Sequence, residues 1–417
     1  MHRSLKILVL EHLFPMPPDS GGKIKSLCTI RALASAHTVQ VLSYVRTETE
    51  QEHVPKLKSI CDNVDTVSFS RSRPADAACA VKSALLGKSY IVTRDFRREM
   101  LERFRQAVQM FQPDVVHVDH LQMAQFVDFD SSYLTVLDQH NVEHIIVKRI
   151  SETSTSALLR AYARLEWPKL KEFERDACRR SNLVLAVSDQ DAKELRNLML
   201  PGAHRQEDAT VPPVETVPIG VDFDSIPLVE RDPNSKDILF IGTMYWPPNI
   251  DCVLYFYREI LPMIKQKLPE CTFTIAGQKP PRVVQDLARD PAVRVTGYVK
   301  DPRDVAAKCG VFVVPLRSGS GVRVKILDAL AMGLPVVSTS IGAEGLAVKN
   351  GEHLLIADDA ESFAEAVITI LNSKELAQDL ALRGRELVRQ EYSWQVVEKR
   401  LLDVYESHLY NIRCSAK

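Results

Sequence analysis

Residues 5–44 decide the fold. They read Leu5-Lys6-Ile7-Leu8-Val9-Leu10, a proline-rich break from His12 to Pro18, Gly21-Gly22, a run through Ile24, Leu27, Ile30, Leu33 and Ala34, and then Thr38 to Tyr44. The first six residues form a short apolar run that the prolines terminate. Apolar positions three and four apart after Gly22 mark a helix with one buried face. A second apolar run follows directly. Strand, loop, helix and strand in this order open a doubly wound parallel sheet, because parallel neighbours need a crossover helix between them.

The alternation continues outward from that unit. Apolar runs recur at 64–69, 114–118, 134–137 and 183–187, with helical stretches at 95–111 and 157–180. From 203 to 235 the pattern lapses, and Pro212, Pro213, Pro218, Pro227 and Pro233 crowd together. This predicts a last strand at 215–218 followed by a linker. Strands are then predicted at 237–241, 271–276, 293–296, 311–315, 335–339 and 354–356. Helices alternate with them near 249–268, 282–288, 302–308, 322–332 and 360–371, and 374–391 and 394–410 close the chain as helices. The expected architecture is α/β, with two Rossmann-like domains whose parallel sheets face a central cleft. The boundaries are 1–222, a linker over 223–236, 237–392, and a helix at 393–417 crossing back to the first domain. Ligands of such sheets bind at the carboxyl ends of the strands.

Composition narrows the class. The 417 residues carry 53 Lys and Arg against 54 Asp and Glu, a net charge of −1, which argues against nucleic-acid binding. Eight cysteines include no CxxC pair, as befits a reducing compartment. No apolar run approaches the ~20 residues of a membrane span, and Lys6 and Glu11 break the signal-peptide pattern at the start. A cytoplasmic protein is expected. Residues 71–105 hold nine Lys or Arg against four Asp or Glu. That segment is either a solvated helix face or a surface for anionic lipid headgroups, giving peripheral contact at the inner face of the membrane.

The segment richest in chemistry runs from Pro315 to Val337: a strand end, a loop with Gly319, Ser320 and Gly321, a helix through Val322, and Gly333 before the next strand. Free N–H groups at that helix start attract an anion. Arg323 and Lys325 lie in the first turn, where cations oppose the helix dipole. A phosphate or diphosphate there accounts for both. Asp328, one turn on, can accept the paired hydroxyls of a ribose. The plainer alternative is a solvated turn in which Lys325 pairs with Asp328 at i,i+3.

Gly319 to Val337 resembles the C-terminal signature of GT-B glycosyltransferases of family GT4. The chain is closest to a subset in which Gly-x-Arg-x-Lys replaces the usual Glu-Gly-Phe-Gly. The resemblance implies a nucleoside-diphosphate sugar as substrate, no cofactor and no metal, and retention of configuration. Separately, no single carboxylate in the sequence is well placed as a nucleophile, which favours front-face displacement over a covalent glycosyl-enzyme. It places Asp328 on the donor ribose. Ser320 stands at the first acidic position of the signature, and with the backbone of Gly321 and Val322 it would contact the sugar. Gly21 and Gly22 resemble the family's first glycine turn toward the donor phosphates; the same pair can be a plain helix start. Phe240 to Asn249 resembles the opening of the second domain, with Gly242 facing the donor. Many members carry an Arg and a Lys shortly after that glycine. This chain has Thr243, Trp246 and Asn249 instead, which transfers the cationic clamp to Arg323 and Lys325. Glu344, in Gly342-Ala343-Glu344-Gly345, either touches the donor or begins a helix. His120 matches the histidine that bonds the donor sugar or β-phosphate.

Two patterns invite other chemistry. His140-Asn141-Val142-Glu143-His144 fits the H-x-x-E-H zinc pattern, which needs both imidazoles on one helix face. Here a strand precedes it and Asn141 reads as a helix N-cap. His140, Asn141 and Glu143 instead resemble a GT4 segment on the acceptor side. Asp-Phe-Asp occurs at 128–130 and 222–224, both in turns where aspartate is favoured anyway. The expected function is sugar transfer to a saccharide or lipid-linked acceptor in surface polysaccharide or glycoconjugate biosynthesis. A non-catalytic nucleotide-sugar-binding subunit and a natural-product glycosyltransferase are the alternatives. Sugar, base, acceptor and oligomeric state have no readable code in the sequence.

Overall fold

The computed structural model describes residues 4–154, 156–200, 211–318 and 321–410. The chain divides into two compact units, Met1–Gly220 with Gln395–Lys417, and Val221–Trp394.

The first unit is built on a seven-stranded sheet ordered β3-β2-β1-β4-β5-β6-β7. Its strands are β1 (Lys6–Glu11), β2 (Thr38–Val45), β3 (Asn63–Ser68), β4 (Val115–Asp119), β5 (Leu134–Gln139), β6 (Leu183–Ala186) and β7 (Val214–Thr216). Every pairing is parallel. Both faces are covered, so β4 and β6 are buried throughout and read as continuous apolar runs. β7 ends at Thr216, two residues short of expectation, because Pro218 has no N–H to extend the ladder. The Gly21–Ala36 helix follows β1. The closing helix, Trp394–Tyr405, contributes Tyr405, which is fully buried.

The second unit holds a six-stranded parallel sheet ordered β10-β9-β8-β11-β12-β13. These are β8 (Asp237–Ile241), β9 (Thr272–Ala276), β10 (Val293–Gly297), β11 (Cys309–Val314), β12 (Val336–Ser338) and β13 (Leu355–Ile356). The helix expected over 249–268 is interrupted: Pro247–Tyr255 passes through a π turn at Phe256–Ile260 into Leu261–Lys267. Pro262 lacks the N–H that would continue the α register, and the wider turn absorbs the mismatch. Val324–Ala331 is the helix of the Arg323/Lys325 segment.

In each sheet the chain winds one way from its first strand and then the other, so the switch point lies between β1 and β4 in one unit and between β8 and β11 in the other. Ligand sites of open α/β sheets gather there. Among the described residues, no helix is long and apolar enough to cross a membrane. The seven described cysteines are free.

Candidate active-site residues

At the switch point of the first unit, Glu11, Asp119 and Asp138 stand side by side in register on β1, β4 and β5. All three are fully buried. Three adjacent carboxyls are sustainable only when neutralised or paired. Glu11 takes the first route: burial, then the charge of Asp119, raises its carboxyl well above the usual range. Asp138 takes the second, with Lys25 Nζ of the Gly21–Ala36 helix 2.9 Å from Oδ2. Burial works against its charge, but Lys25 and His117 outweigh it and hold the carboxylate low.

Asp119 is held by hydrogen bonds. Its Oδ2 accepts from Ser26 Oγ at 2.9 Å and from His120 Nδ1 at 2.5 Å, and its Oδ1 accepts from His140 Nε2 at 2.8 Å. The two imidazoles lie 3.8 Å apart at a 38° tilt. Burial disfavours charge on Asp119, yet the two rings outweigh it and keep the carboxylate ionised. His120 adopts φ +70°, unusual for a side chain with a Cβ, which turns its ring toward the helix start. A methyl group built on Gly22 would lie 3.4 Å from His120 Nε2 and 3.6 Å from His140 Nδ1. Beside it, Ser20 caps the Gly21–Ala36 helix without a side-chain bond, and no acidic residue occupies the first turn. Donor atoms of Asp119, His120 and His140 lie within 4.8 Å of one another, as a metal set would. In this arrangement both carboxylate oxygens already serve the imidazoles, so the group is a hydrogen-bonded cluster.

The H-x-x-E-H pattern separates into two sites. His140 belongs to Asp119, whereas His144 Nδ1 is 2.6 Å from Glu174 Oε2. The helix begins at Glu143, and its N-cap is Val142 rather than Asn141. Glu174 does the capping, accepting from the amides of Glu143 at 2.9 Å and His144 at 3.0 Å. Asn141 and Glu143 are half-buried. Burial, then the charge of Glu174, pushes the Glu143 carboxyl up to about 7.

In the second unit, Lys325 is turned inward. Its Nζ lies 2.8 Å from Asn249 Oδ1 and 4.4 Å from the centre of the Phe240 ring. No ion pair joins it to Asp328 or any other carboxylate among the described residues. Burial pushes its ammonium down to about 8, with the nearby Arg323 charge acting the same way. Gly242 makes room for this placement: a Cβ there would sit 2.8 Å from Lys325 Nζ and 2.9 Å from Asn249 Nδ2. Arg323 occupies the N-cap position, with Nη1 donating to the Gly321 carbonyl at 2.6 Å. Asp328 and Lys325 line one cavity of about 360 Å³ together with Ile226, Ile241 and Met332. Burial raises the Asp328 carboxyl to about 7. Gly321 and Val322 are half-buried in the loop, and Glu344 lies in a turn after β12, with no helix beginning there. Ser320 and Gly319 lie outside the described residues.

The sequence reading missed Glu11, Asp119 and Lys25 as members of one cluster, and Asn249 as the partner of Lys325. The first three carried one faint signal, a charged residue closing or facing an otherwise apolar strand.

Two parallel, doubly wound units of this kind are the fold of GT-B glycosyltransferases. Residues 235–373 match the family described as glycosyl transferases group 1. This segment is a group 1 glycosyltransferase domain, and the chain is an enzyme of the glycosyltransferase class. An uncharacterized 44.6 kDa protein in the cps region of Klebsiella pneumoniae is 23% identical over 400 residues, covering 93% of this chain and 96% of that one. A phosphatidyl-myo-inositol mannosyltransferase of Mycobacterium leprae is 28% identical over 201 residues, 46% of this chain and 53% of its own length. Among solved structures, Anabaena HepE in complex with UDP superposes with a TM-score of 0.64 at 12% identity, covering 97% of this chain and all of that one.

Proposed function

We propose that the chain transfers a sugar from a nucleoside-diphosphate sugar to a saccharide or lipid-linked acceptor in the biosynthesis of surface polysaccharide or glycoconjugate, with retention and without a metal. The observation that carries this reading is Lys325: a half-buried cation at a helix start, with no carboxylate partner among the described residues, lining a cavity with Asp328. A diphosphate leaving group gathers charge on its β-phosphate as the glycosidic bond breaks, and stabilising that charge is the main catalytic demand. Lys325 and Arg323 meet it; Asp328 takes the ribose. In the first unit, His120 and the Gly22 turn orient the transferred sugar. Asp119 is committed to two imidazoles and burial raises the Glu11 carboxyl well above its usual range, so neither is a ready nucleophile, which favours front-face displacement. The Klebsiella relative in a cps region and the mannosyltransferase support glycoconjugate assembly, and UDP in HepE supports a nucleoside diphosphate product.

A panel of UDP- and GDP-sugars, read by thermal shift and by acceptor-dependent release of the nucleoside diphosphate, tests the reading. Binding with no release in the presence of any acceptor extract would establish the binding-only alternative. Donor affinity is expected to be bell-shaped in pH. It rises as Asp328 ionises through about 7 and falls as Lys325 loses its proton above about 8. Calorimetric titration of an intact nucleotide sugar, whose diphosphate diester does not titrate here, checks both limbs.

Docking at a membrane surface is part of the same proposal. The Arg73–Leu85 helix leaves Val81 61% and Leu85 82% exposed beside Lys82, and Leu86, its C-cap, is 58% exposed. Exposed apolar side chains beside a lysine suit the interface of an anionic bilayer. Cosedimentation with phosphatidylglycerol vesicles is expected to fall at least tenfold in Leu85→Glu.

A further inference from the structure

The two imidazoles around Asp119 are asymmetric. Both nitrogens that face the carboxylate, His120 Nδ1 and His140 Nε2, must carry hydrogen to bond it. The opposite nitrogens, His120 Nε2 and His140 Nδ1, converge on Gly22. His140 Nδ1 is fully buried and finds no hydrogen-bond partner, and its residue is only 5% exposed. A buried polar atom left open in this way is costly unless something completes it.

We propose that Asp119 is a positioning residue that sets the two imidazoles in opposite hydrogen-bonding states, His120 Nε2 as donor and His140 Nδ1 as acceptor, and that the pair takes one hydroxyl of the transferred sugar beside Gly22. The inference rests on the sugar-transfer reading above and adds a residue, Asp119, and a ligand group to it. A single carboxylate supports one imidazolium, and a second proton 3.8 Å away is repelled by the first. The directions agree. Burial opposes charge on both rings, but the Asp119 carboxylate wins at His120 and raises it, whereas at His140 burial and the charge of His120 leave the ring lowered and neutral. The other groups that act on the pair are His12 at the end of β1, Asp138 on β5 and Glu143 of the following helix. Glu11 lies beside Asp119 on the neighbouring strand, its carboxyl raised well above the usual range by burial and by the charge of Asp119. A hydroxyl fits because one atom both accepts from His120 and donates to His140. A phosphate oxygen would face the lone pair of His140, and an ammonium would face the N–H of His120.

Histidine-selective ¹⁵N labelling of the full chain tests the tautomers directly, with resonances assigned through His120→Gln and His140→Gln. At pH 7 His120 is expected to be protonated on both nitrogens, and His140 to carry hydrogen on Nε2 alone. Asp119→Asn keeps one acceptor oxygen but presents an amide to the other ring, so one imidazole must change state. Its expected turnover is about a hundredfold lower. The alkaline limb of kcat/KM, to which loss of the His120 proton contributes beside that of Lys325, moves to lower pH because the carboxylate that raised His120 is gone. A purely structural role would not move that limb. Gly22→Ala supplies a second variant: contacts of 3.4 and 3.6 Å are ordinary, so it folds, but its methyl occupies the hydroxyl position. Donor KM is expected to rise more than tenfold with both tautomers unchanged. Hydrogen on His140 Nδ1, or a folded Asp119→Asn with an unmoved limb, overturns the proposal. Absence of any sugar transfer by the wild type counts against the proposed function instead, and the tautomer spectra still decide the role of Asp119.

Discussion

Lys325→Ala is expected to lower kcat/KM for sugar transfer by a hundred- to a thousandfold, on the order of losing one donor to a developing oxyanion, while leaving the fold as stable as before or more so. The two halves of this expectation share one cause. The ammonium sits inside the unit against Asn249 and Phe240, paying desolvation without a carboxylate to offset it. Its pKa of about 8 lies below that of an unfolded lysine, near 10.4. The sign of the linkage follows. Between those values the unfolded chain binds the additional proton, so wild-type stability rises with pH across that window. Below it, the charged lysine weakens the fold at full strength. Alanine removes both the penalty and the pH dependence. Thermal melts at pH 7 and 9.5 should therefore show a rise in the wild type that is missing in the variant, while steady-state kinetics shows the loss. Arg323→Ala is expected to cut turnover in the same way. Turnover like that of the wild type in both variants would remove the cationic clamp from the mechanism.

The strands were legible wherever burial on both faces made them continuous apolar runs, as at Leu183–Ala186 and Cys309–Val314. Helices that owe their start to distant residues were not. Glu143–Thr153 is capped by Glu174, which no local pattern announces, and Asn141 in the sequence is the better-looking cap. Arg73–Leu85 has alanines where a buried stripe would show, so its charges dominated the reading. The candidate site divides along the same line. Arg323, Lys325 and Asp328 are close in sequence, and their spacing on one helix start could be read directly. Asn249 lies in another element, yet it holds the ammonium. The Asn249 carboxamide oxygen receives the Lys325 ammonium from another element, a pairing no local pattern announces. Glu11, Asp119 and Asp138 become neighbours only through the order β1-β4-β5, which is a property of the sheet and of no single segment.

That buried row also sets the largest effect expected on stability. Lys25→Met should cost about 3–5 kcal/mol, the usual penalty for leaving one member of a buried ion pair behind. Lys25 is 1% exposed and Asp138 fully buried, with Nζ 2.9 Å from Oδ2 and 3.4 Å from the Val217 carbonyl. Without the lysine, Asp138 keeps, among the described residues, only His117 Nε2 at 3.5 Å, and that ring is already tied through Nδ1 to Tyr405 Oη at 2.6 Å. The wild-type pair stabilises the fold above the unfolded aspartate pKa, and this contribution is lost as pH falls toward the depressed folded value. In Lys25→Met the sign reverses, because burial now raises the carboxyl and the fold gains from acidification. Replacing both members, Lys25→Met with Asp138→Leu, should recover most of the loss, since no charge is left in the interior. Urea unfolding of the wild type and the two variants at pH 5 and pH 8 measures all of this. Equal stability of the single and double variants would mean that the ion pair is not what holds the Gly21–Ala36 helix to the sheet.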